Sequence, residues 1–379
     1  MTPPDRNSRS QQRRPELVQS ILTSAFFSSR HSSVNTPANT TSPYFSKPAI
    51  DASAPQDDTT IDSEESTEIA TNGVAKLDLH TDRRSTLNRP PPSLGPPSRS
   101  VILAHIAAEN KALLPNILKT TPNAPARGIL YDPSTLLRLD KKYCPHLPPT
   151  KIRVLNADSI DAALSLSPRT ATTPSTPTDK PMLILNMANA YHSGGGWLHG
   201  ALAQEEALCY RSSLSFTLKK RFYPIPEAGG IYSPTVLVIR ENMAQGHDLL
   251  DLSKPDELPV VSCVSVAAIR GPEIYKALDT GERYKHKRDR ETMKEKMRVV
   301  LRVAAVRKHR VLVLGALGCG AFGNPRGEVV QCWKEVFAEG EFSGGWWETV
   351  VFAVMEKGQD KDGDSNFGVF WRGLDGVEV

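Results

Sequence analysis

Residues 181–206 read Pro181-Met-Leu-Ile-Leu-Asn-Met-Ala-Asn-Ala-Tyr-His-Ser-Gly-Gly-Gly-Trp-Leu-His-Gly-Ala-Leu-Ala-Gln-Glu-Glu206. The stretch opens with Met182–Asn186, a short apolar run without a periodic polar face, which predicts a strand buried on both sides. Gly194, Gly195 and Gly196 follow, and a helix is expected from about Gly200 to Lys220. Strand, glycine loop and helix form the arrangement in which α/β proteins hold phosphate: glycine lets the backbone come close, and free amides point at the anion. A tight turn without a ligand is the plainer reading, set against the entropic cost of three consecutive glycines. After a spacer of seven residues stand Gln204, Glu205 and Glu206. Two adjacent carboxylates beside an anion site repel the ligand unless they do chemistry or bind hydroxyls. Side chains at i and i+1 diverge on a regular helix, so both reach one ligand only from the helix start or the loop before it.

Working outward, the pattern recurs in kind. Lys151–Asn156 is a short predicted strand, and Asp158 or Ser159 is placed to cap a helix over Ile160–Leu166. Ser167–Lys180 is a Ser/Thr/Pro loop. Strands are expected at Thr235–Arg240, Pro259–Ala267, Val311–Leu314 and Glu348–Met355, and helices at Val101–Leu114, Glu291–Lys308 and Val329–Phe337. Gly128–Tyr143 carries a weak helix or strand signal, and the charged stretch Gly271–Arg290 reads as an exposed excursion. Gly315–Pro325 is a second glycine loop following a strand. Past Glu356 the chain is charged and glycine-rich, with Phe367, Val369, Phe370 and Trp371 available to dock back. Strands alternating with helices give an α/β sandwich around a central sheet, with right-handed crossovers. Two glycine loops would then gather at the strand carboxyl ends and clasp a diphosphate. Neither loop has the Gly-Lys-Ser/Thr ending of a nucleotide-hydrolysing loop or the spaced dinucleotide fingerprint. The expected ligand is therefore a diphosphate that is not itself the reacting group.

Composition narrows the class. The chain has 379 residues and a formal charge of +4, enough for one large domain or two small ones. Its basic stretch Lys285–Arg310 lacks interleaved aromatics, so it reads as a solvated helix face rather than a nucleic-acid surface. Five widely spaced cysteines (144, 209, 263, 319 and 332) argue against a disulfide framework and a zinc site, and fit a reducing compartment. No run is long and apolar enough to span a membrane, and the N-terminus lacks a secretory hydrophobic segment. Residues 1–97 form a Ser/Thr/Pro-rich tail expected to be disordered, with Leu17–Phe27 as a short helix or docking motif. Asp5 and Glu16 weaken a mitochondrial address for this tail without closing that option, and the nucleus or cytoplasm is the expected location.

Gly194-Gly195-Gly196, seven residues and Gln204-Glu205-Glu206 resemble the signature of poly(ADP-ribose) glycohydrolases. The blocks Asn186–Ala190, Gly200-Ala201, Ile231–Val236 and Gly315–Pro325 resemble the microbial-type branch, and the likeness runs from about Ser98 to Met355. The resemblance implies a three-layer α/β/α macrodomain-like sandwich with a mixed central sheet over 98–379, with an N-terminal helical extension. It implies Glu206 as the catalytic glutamate, Glu205 as its partner on the distal ribose hydroxyls, and Gln204 as a residue shaping the catalytic loop. Asn189 would touch the distal ribose, and Gly194, Gly195 and Gly196 would pass beside diphosphate and ribose. Gly318, Cys319, Gly320 and Ala321 would offer backbone to the diphosphate. Phe322 would stack on adenine or its ribose, and Asp158 would face the adenine amine. Two departures stand out. Ser193 occupies a position where many microbial relatives have proline, which predicts a softer loop entry. Ala267-Ala268-Ile269-Arg270 replaces an expected proline-asparagine segment.

The implied reaction is hydrolysis of the ribose–ribose O-glycosidic bond of poly(ADP-ribose), from chain ends, releasing ADP-ribose. Glu206 would protonate the leaving oxygen and then activate water, helped by a raised pKa. No metal or cofactor is required. The expected partners are poly(ADP-ribose) and ADP-ribosylated proteins, without membrane or direct DNA binding, and the protein is expected to be a monomer. The alternatives are a non-hydrolytic ADP-ribose reader, or a hydrolase of mono-ADP-ribosylated protein or a small ADP-ribose derivative. His192 and His199 are candidate polar contacts or ordinary loop residues, and Trp197 covers the pocket or packs. Cys319 lacks an evident base partner and reads as a packing residue rather than a nucleophile.

Overall fold

The computed structural model describes residues 97–166, 180–277, 281–358 and 360–379. The tail expected over 1–97 lies outside these residues except for Pro97, and the loop expected over 167–180 lies outside them except for Lys180. In chain order the elements are α1 (Arg99–Thr120), β1 (Ile129–Tyr131), β2 (Arg153–Leu155), α2 (Ser159–Leu166), β3 (Leu183–Met187), α3 (Gln204–Arg211) and α4 (Leu214–Thr217). They continue with β4 (Gly230–Leu237), β5 (Val260–Val266), β6 (Ile274–Ala277), β7 (Gly281–Tyr284), α5 (Lys287–Val306), β8 (Val311–Leu314), α6 (Arg326–Ala338), β9 (Thr349–Ala353) and α7 (Asn366–Leu374).

Seven strands form one sheet in the order β1-β4-β5-β3-β8-β9-β2. The run β5-β3-β8-β9-β2 is parallel. At one edge β4 and β1 add antiparallel, so the sheet is mixed. Alternate residues of β3 face opposite layers, as the pleat requires. Leu183 and Leu185 join the core under α5, α6 and α7, whereas Ile184 joins the core under α1, α2, α3 and α4. The architecture is the three-layer α/β/α sandwich expected.

Several boundaries differ from the sequence reading. The helix expected over 200–220 is two pieces, broken at Ser212. Ser212 is extended, donates its hydroxyl to Leu208 O at 2.6 Å and bridges Val238, while Ser213 Oγ accepts from Leu237 N. Pairing with the end of β4 competes with the helix ladder there and wins. β4 starts earlier than expected, at Gly230, and carries Pro234 through a register shift between Ser233 and Val236. A bulge is where a strand tolerates a residue without an N–H. α1 is longer than expected, burying Leu103, Ala107, Asn110, Leu114 and Ile117 and running through Pro115. The excursion over 271–290 includes the hairpin β6–β7 and the first turn of α5. The chain end docks as α7, with Phe367 and Phe370 buried. It then seals the open edge of β2: Ile152 N donates to Val377 O at 2.8 Å and Val154 N to Asp375 Oδ1 at 2.9 Å.

Candidate active site

The site begins with a polar residue inside an apolar strand. Asn186 is fully buried in β3, and its side-chain amide donates to Ser265 Oγ on β5 at 2.9 Å and to Glu205 Oε1 at 3.3 Å. Where β3–β8 pairing ends, at Ile184↔Val313, the side chain of Gln204 takes over as a backbone surrogate. Its Oε1 accepts from Met187 N at 2.9 Å, and its Nε2 donates to Leu185 O at 2.8 Å and to Ser159 Oγ at 3.2 Å. The first residue of α3 is thereby fastened both to the end of β3 and to the start of α2.

Glu205 and Glu206 occupy the next two positions of α3, in its first turn, and are 3% and 8% exposed. At a helix start two adjacent carboxylates can both reach one ligand. The unpaired N–H groups of a helix start favour carboxylates there. Glu205 Oε2 accepts from Asn189 N at 2.7 Å, and the carboxyl also receives the Gly194 N–H. Glu206 reaches back to Ala203 N through Oε2 and across to Gly196 N through Oε1, each at 2.9 Å. Both carboxyls therefore grip the glycine loop from the helix side, and their oxygens keep second lone pairs for a ligand. Burial pushes the Glu205 carboxyl from 4.5 up to about 8, against the opposing pull of the Asn189 N–H and the Asn186 amide, with the Glu206 charge adding to the rise.

The loop geometry explains Gly195. Its φ is +61°, and a Cβ there would stand 2.3 Å from Glu206 Oε1. Only a residue without a side chain lets the carboxylate lie against the turn. Asn189 makes the preceding bend, its Oδ1 accepting from Tyr191 N at 2.9 Å and His192 N at 3.1 Å. Ser193 is held at the loop entry by a hydroxyl bond to Leu218 O at 2.7 Å, a restraint different from the one proline would supply. Trp197 is buried and packs edge-on to Tyr210, whose hydroxyl lies 2.8 Å from both Trp197 O and Ala201 O. The packing reading of Trp197 is the one realised. His192 and His199 are exposed.

The second glycine loop follows β8, which pairs directly with β3. Asn324, 4% exposed, organises it: Nδ2 donates to Ile269 O at 2.7 Å and Gly318 O at 3.1 Å, and Oδ1 accepts from Tyr284 OH at 2.9 Å. Gly318 has φ +75°, and a Cβ on it would meet Asn324 Nδ2 at 2.4 Å and Ala268 Cβ at 2.6 Å. The departure at 267–270 thus supplies small residues and a carbonyl that support this loop. Gly320 and Ala321 are exposed, and Phe322 is half-buried against the core. Burial pushes the Cys319 thiol up to about 12, which suits a packing residue and disfavours a thiolate nucleophile at neutral pH.

Asp158 stands at the N-terminus of α2. Its Oδ1 accepts from Ile160 N at 2.8 Å, Asp161 N at 3.2 Å and Arg211 Nη1 at 2.5 Å. Burial raises its carboxyl above the ordinary value, and Arg211 opposes that rise. Asn186, Ser159, Arg211 and Asn324 were not singled out as site residues from sequence. The legible signals were a lone asparagine in an apolar strand, a charged residue inside an otherwise buried helix face, and the asparagine before Pro325. Among the described residues no group of three or more His, Cys, Asp or Glu side chains is arranged to hold a metal ion.

Residues 116–241 match the family model described as microbial-type PARG, catalytic domain. The fold is similar to poly(ADP-ribose) glycohydrolase (PARG) from Thermomonospora curvata, with TM-score 0.54 and 27% identity over 72% of this chain and 99% of that one. The same Thermomonospora enzyme bound to the inhibitor ADP-HPD matches with TM-score 0.53, 27% identity and the same coverage. The Deinococcus radiodurans glycohydrolase in complex with ADP-ribose matches with TM-score 0.50 and 27% identity over 65% of this chain and 94% of that one. Comparison with curated proteins finds no match.

Proposed function

We infer that this chain, which belongs to the microbial-type poly(ADP-ribose) glycohydrolase family, hydrolyses the ribose–ribose O-glycosidic bond of poly(ADP-ribose) and releases ADP-ribose. The observation that carries the reading is the pair Glu205–Glu206 in the first turn of α3, both bonded to the loop 189–196. In this reading the distal ribose lies over the loop. Glu205 takes its hydroxyls; a buried carboxyl with a pKa near 8 both donates and accepts at neutral pH. Glu206 gives its proton to the oxygen that leaves as the C–O bond at the anomeric carbon breaks, and the ribose becomes an oxocarbenium ion. The carboxylate then takes a proton from water as the hydroxide part adds to that carbon, which restores the acid. Asn189 and Gly194–Gly196 line the ribose and diphosphate. Gly318–Ala321 face the diphosphate from the other side, Phe322 stacks on the adenosine, and Asp158 receives the adenine amine.

Cleavage from chain ends, action on ADP-ribosylated proteins, a monomeric state and the absence of direct DNA binding belong to the same proposal. So do a catalytic unit over 98–379 and residence in the nucleus or cytoplasm. The modest charge of +4 and the lack of an aromatic–basic surface in the sequence support the DNA part. No helix among the described residues is long and apolar enough to cross a membrane.

The test is release of ADP-ribose from poly(ADP-ribose) of defined length by the parent and by Glu206→Gln. Parent release, reduced about 10²–10⁴-fold in the variant with ADP-ribose affinity retained, is the expected result. A folded parent that binds ADP-ribose without releasing any from the polymer would refute it and leave a reader, or a hydrolase of mono-ADP-ribosyl linkages.

A further inference from the structure

Arg211, the last residue of α3, is 2% exposed and carries a buried positive charge. A buried guanidinium needs partners for its fork, and it has them on α2. Nη1 meets Asp158 Oδ1 at 2.5 Å, Nη2 meets Asp161 Oδ1 at 2.8 Å, and Nε donates to Arg240 O at 3.3 Å. Asp161 is itself held through its other oxygen by the Asn242 side-chain amide. Three donors converge on Oδ1 of Asp158: the N–H groups of Ile160 and Asp161, and Arg211 Nη1. The second carboxylate oxygen takes part in none of these three bonds, and the Asp158 side chain is 16% exposed where that of Arg211 is 2%.

The same helix carries Glu205 and Glu206 at its other end. Arg211 lies five positions after Glu206, a rise of ~7.5 Å at 1.5 Å per residue. A second tie joins the same two helices near their starts, from Gln204 Nε2 to Ser159 Oγ at 3.2 Å. Asp158, at the start of α2, is therefore tied through Arg211 to the same short helix that carries Glu205 and Glu206.

We propose that Arg211 is a positioning residue for nucleobase selection: its fork fixes Asp158 with one oxygen turned outward as acceptor for the exocyclic amine of adenine, in register with the catalytic turn of α3. The proposal rests on the ADP-ribose reading of the site. Its readout is a ratio of affinities, because general loosening of the fold weakens two closely similar ligands alike.

The experiment measures binding of ADP-ribose and of its analogue with hypoxanthine in place of adenine, which has a carbonyl where adenine has the amine. The parent is expected to favour ADP-ribose at least tenfold, as for one hydrogen bond to a charged group. Arg211→Met is expected to bring the ratio within about threefold of unity, because an unpinned Asp158 no longer presents one defined acceptor. Asp161→Asn, at a side chain 31% exposed, removes one arm of the clamp and decides the matter if Arg211→Met does not fold; its ratio is expected to fall about threefold. An undiminished ratio in either folded variant, or a parent that does not discriminate, overturns the proposal. Release of ADP-ribose from poly(ADP-ribose) by the parent, measured alongside, registers failure of the glycohydrolase reading separately, since base discrimination survives without hydrolysis.

Discussion

Glu205→Gln tests the electrostatics of the site without touching the residue assigned to proton transfer. In the folded protein burial raises the Glu205 carboxyl from 4.5 to about 8, so the native state holds a proton that the unfolded chain releases. The native state then binds more protons than the unfolded state between those two values, and stability falls as pH rises through that window. Below pH 4.5 both states are protonated and the stabilisation is fully present; it is lost as pH climbs through about 8. At ~1.36 kcal/mol per pH unit the full span corresponds to roughly 5 kcal/mol. Water entry and side-chain relaxation on ionisation reduce this, and we expect about 2–3 kcal/mol between pH 5 and pH 9. Glutamine has the same shape and no titration. Its carbonyl keeps the Asn189 N–H, and its amide can find Asn186 Oδ1, a buried oxygen without a hydrogen-bond partner, once the Asn186 amide turns over. The assay is urea unfolding of parent and variant at pH 5, 6, 7, 8 and 9, read as the difference between them so that the other titrating groups cancel. The variant should gain on the parent steadily as pH rises. A difference that is flat across the series would refute the argument that a neutral carboxyl sits in the folded core.

Two further substitutions probe the loop and the helix start. Gly195→Ala forces a Cβ to 2.3 Å from Glu206 Oε1 at a φ of +61°, so we expect ADP-ribose release to drop at least 100-fold, with about 1–3 kcal/mol lost in unfolding. Gln204→Ala strips the side chain from Met187 N, Leu185 O and Ser159 Oγ and should cost about 2–4 kcal/mol by denaturant titration, with activity falling as the first turn of α3 frays.

The sheet and its two glycine loops were readable because apolar runs and glycine clusters act locally. Met182–Asn186 and Val311–Leu314 are short apolar runs that lead into glycine loops, which favours buried strands over helix segments, and the observed β3 and β8 lie at these places. The helix after the first loop is shorter than its local sequence predicts, since Ser212 leaves it for a bridge to Val238, a partner 26 residues away just past the end of β4 that local propensity does not register. Asn186 looked like part of an apolar run because nothing in the run says which neighbour will need its amide.

The adjacency of Gln204, Glu205 and Glu206 already determined, from sequence alone, that both carboxylates must stand at a helix start if they act together. Gly194–Gly196 determined that a backbone turn would lie close by. Tertiary structure decided which oxygen meets which donor: Glu206 on Gly196 N, Glu205 on Asn189 N, and Asp158 clamped by Arg211 from 53 residues further along the chain. The division has a physical cause. Backbone conformation and helix-end preference are set within a few residues, whereas burial, desolvation and the pairing of an inner charge depend on segments that meet only when the sheet closes.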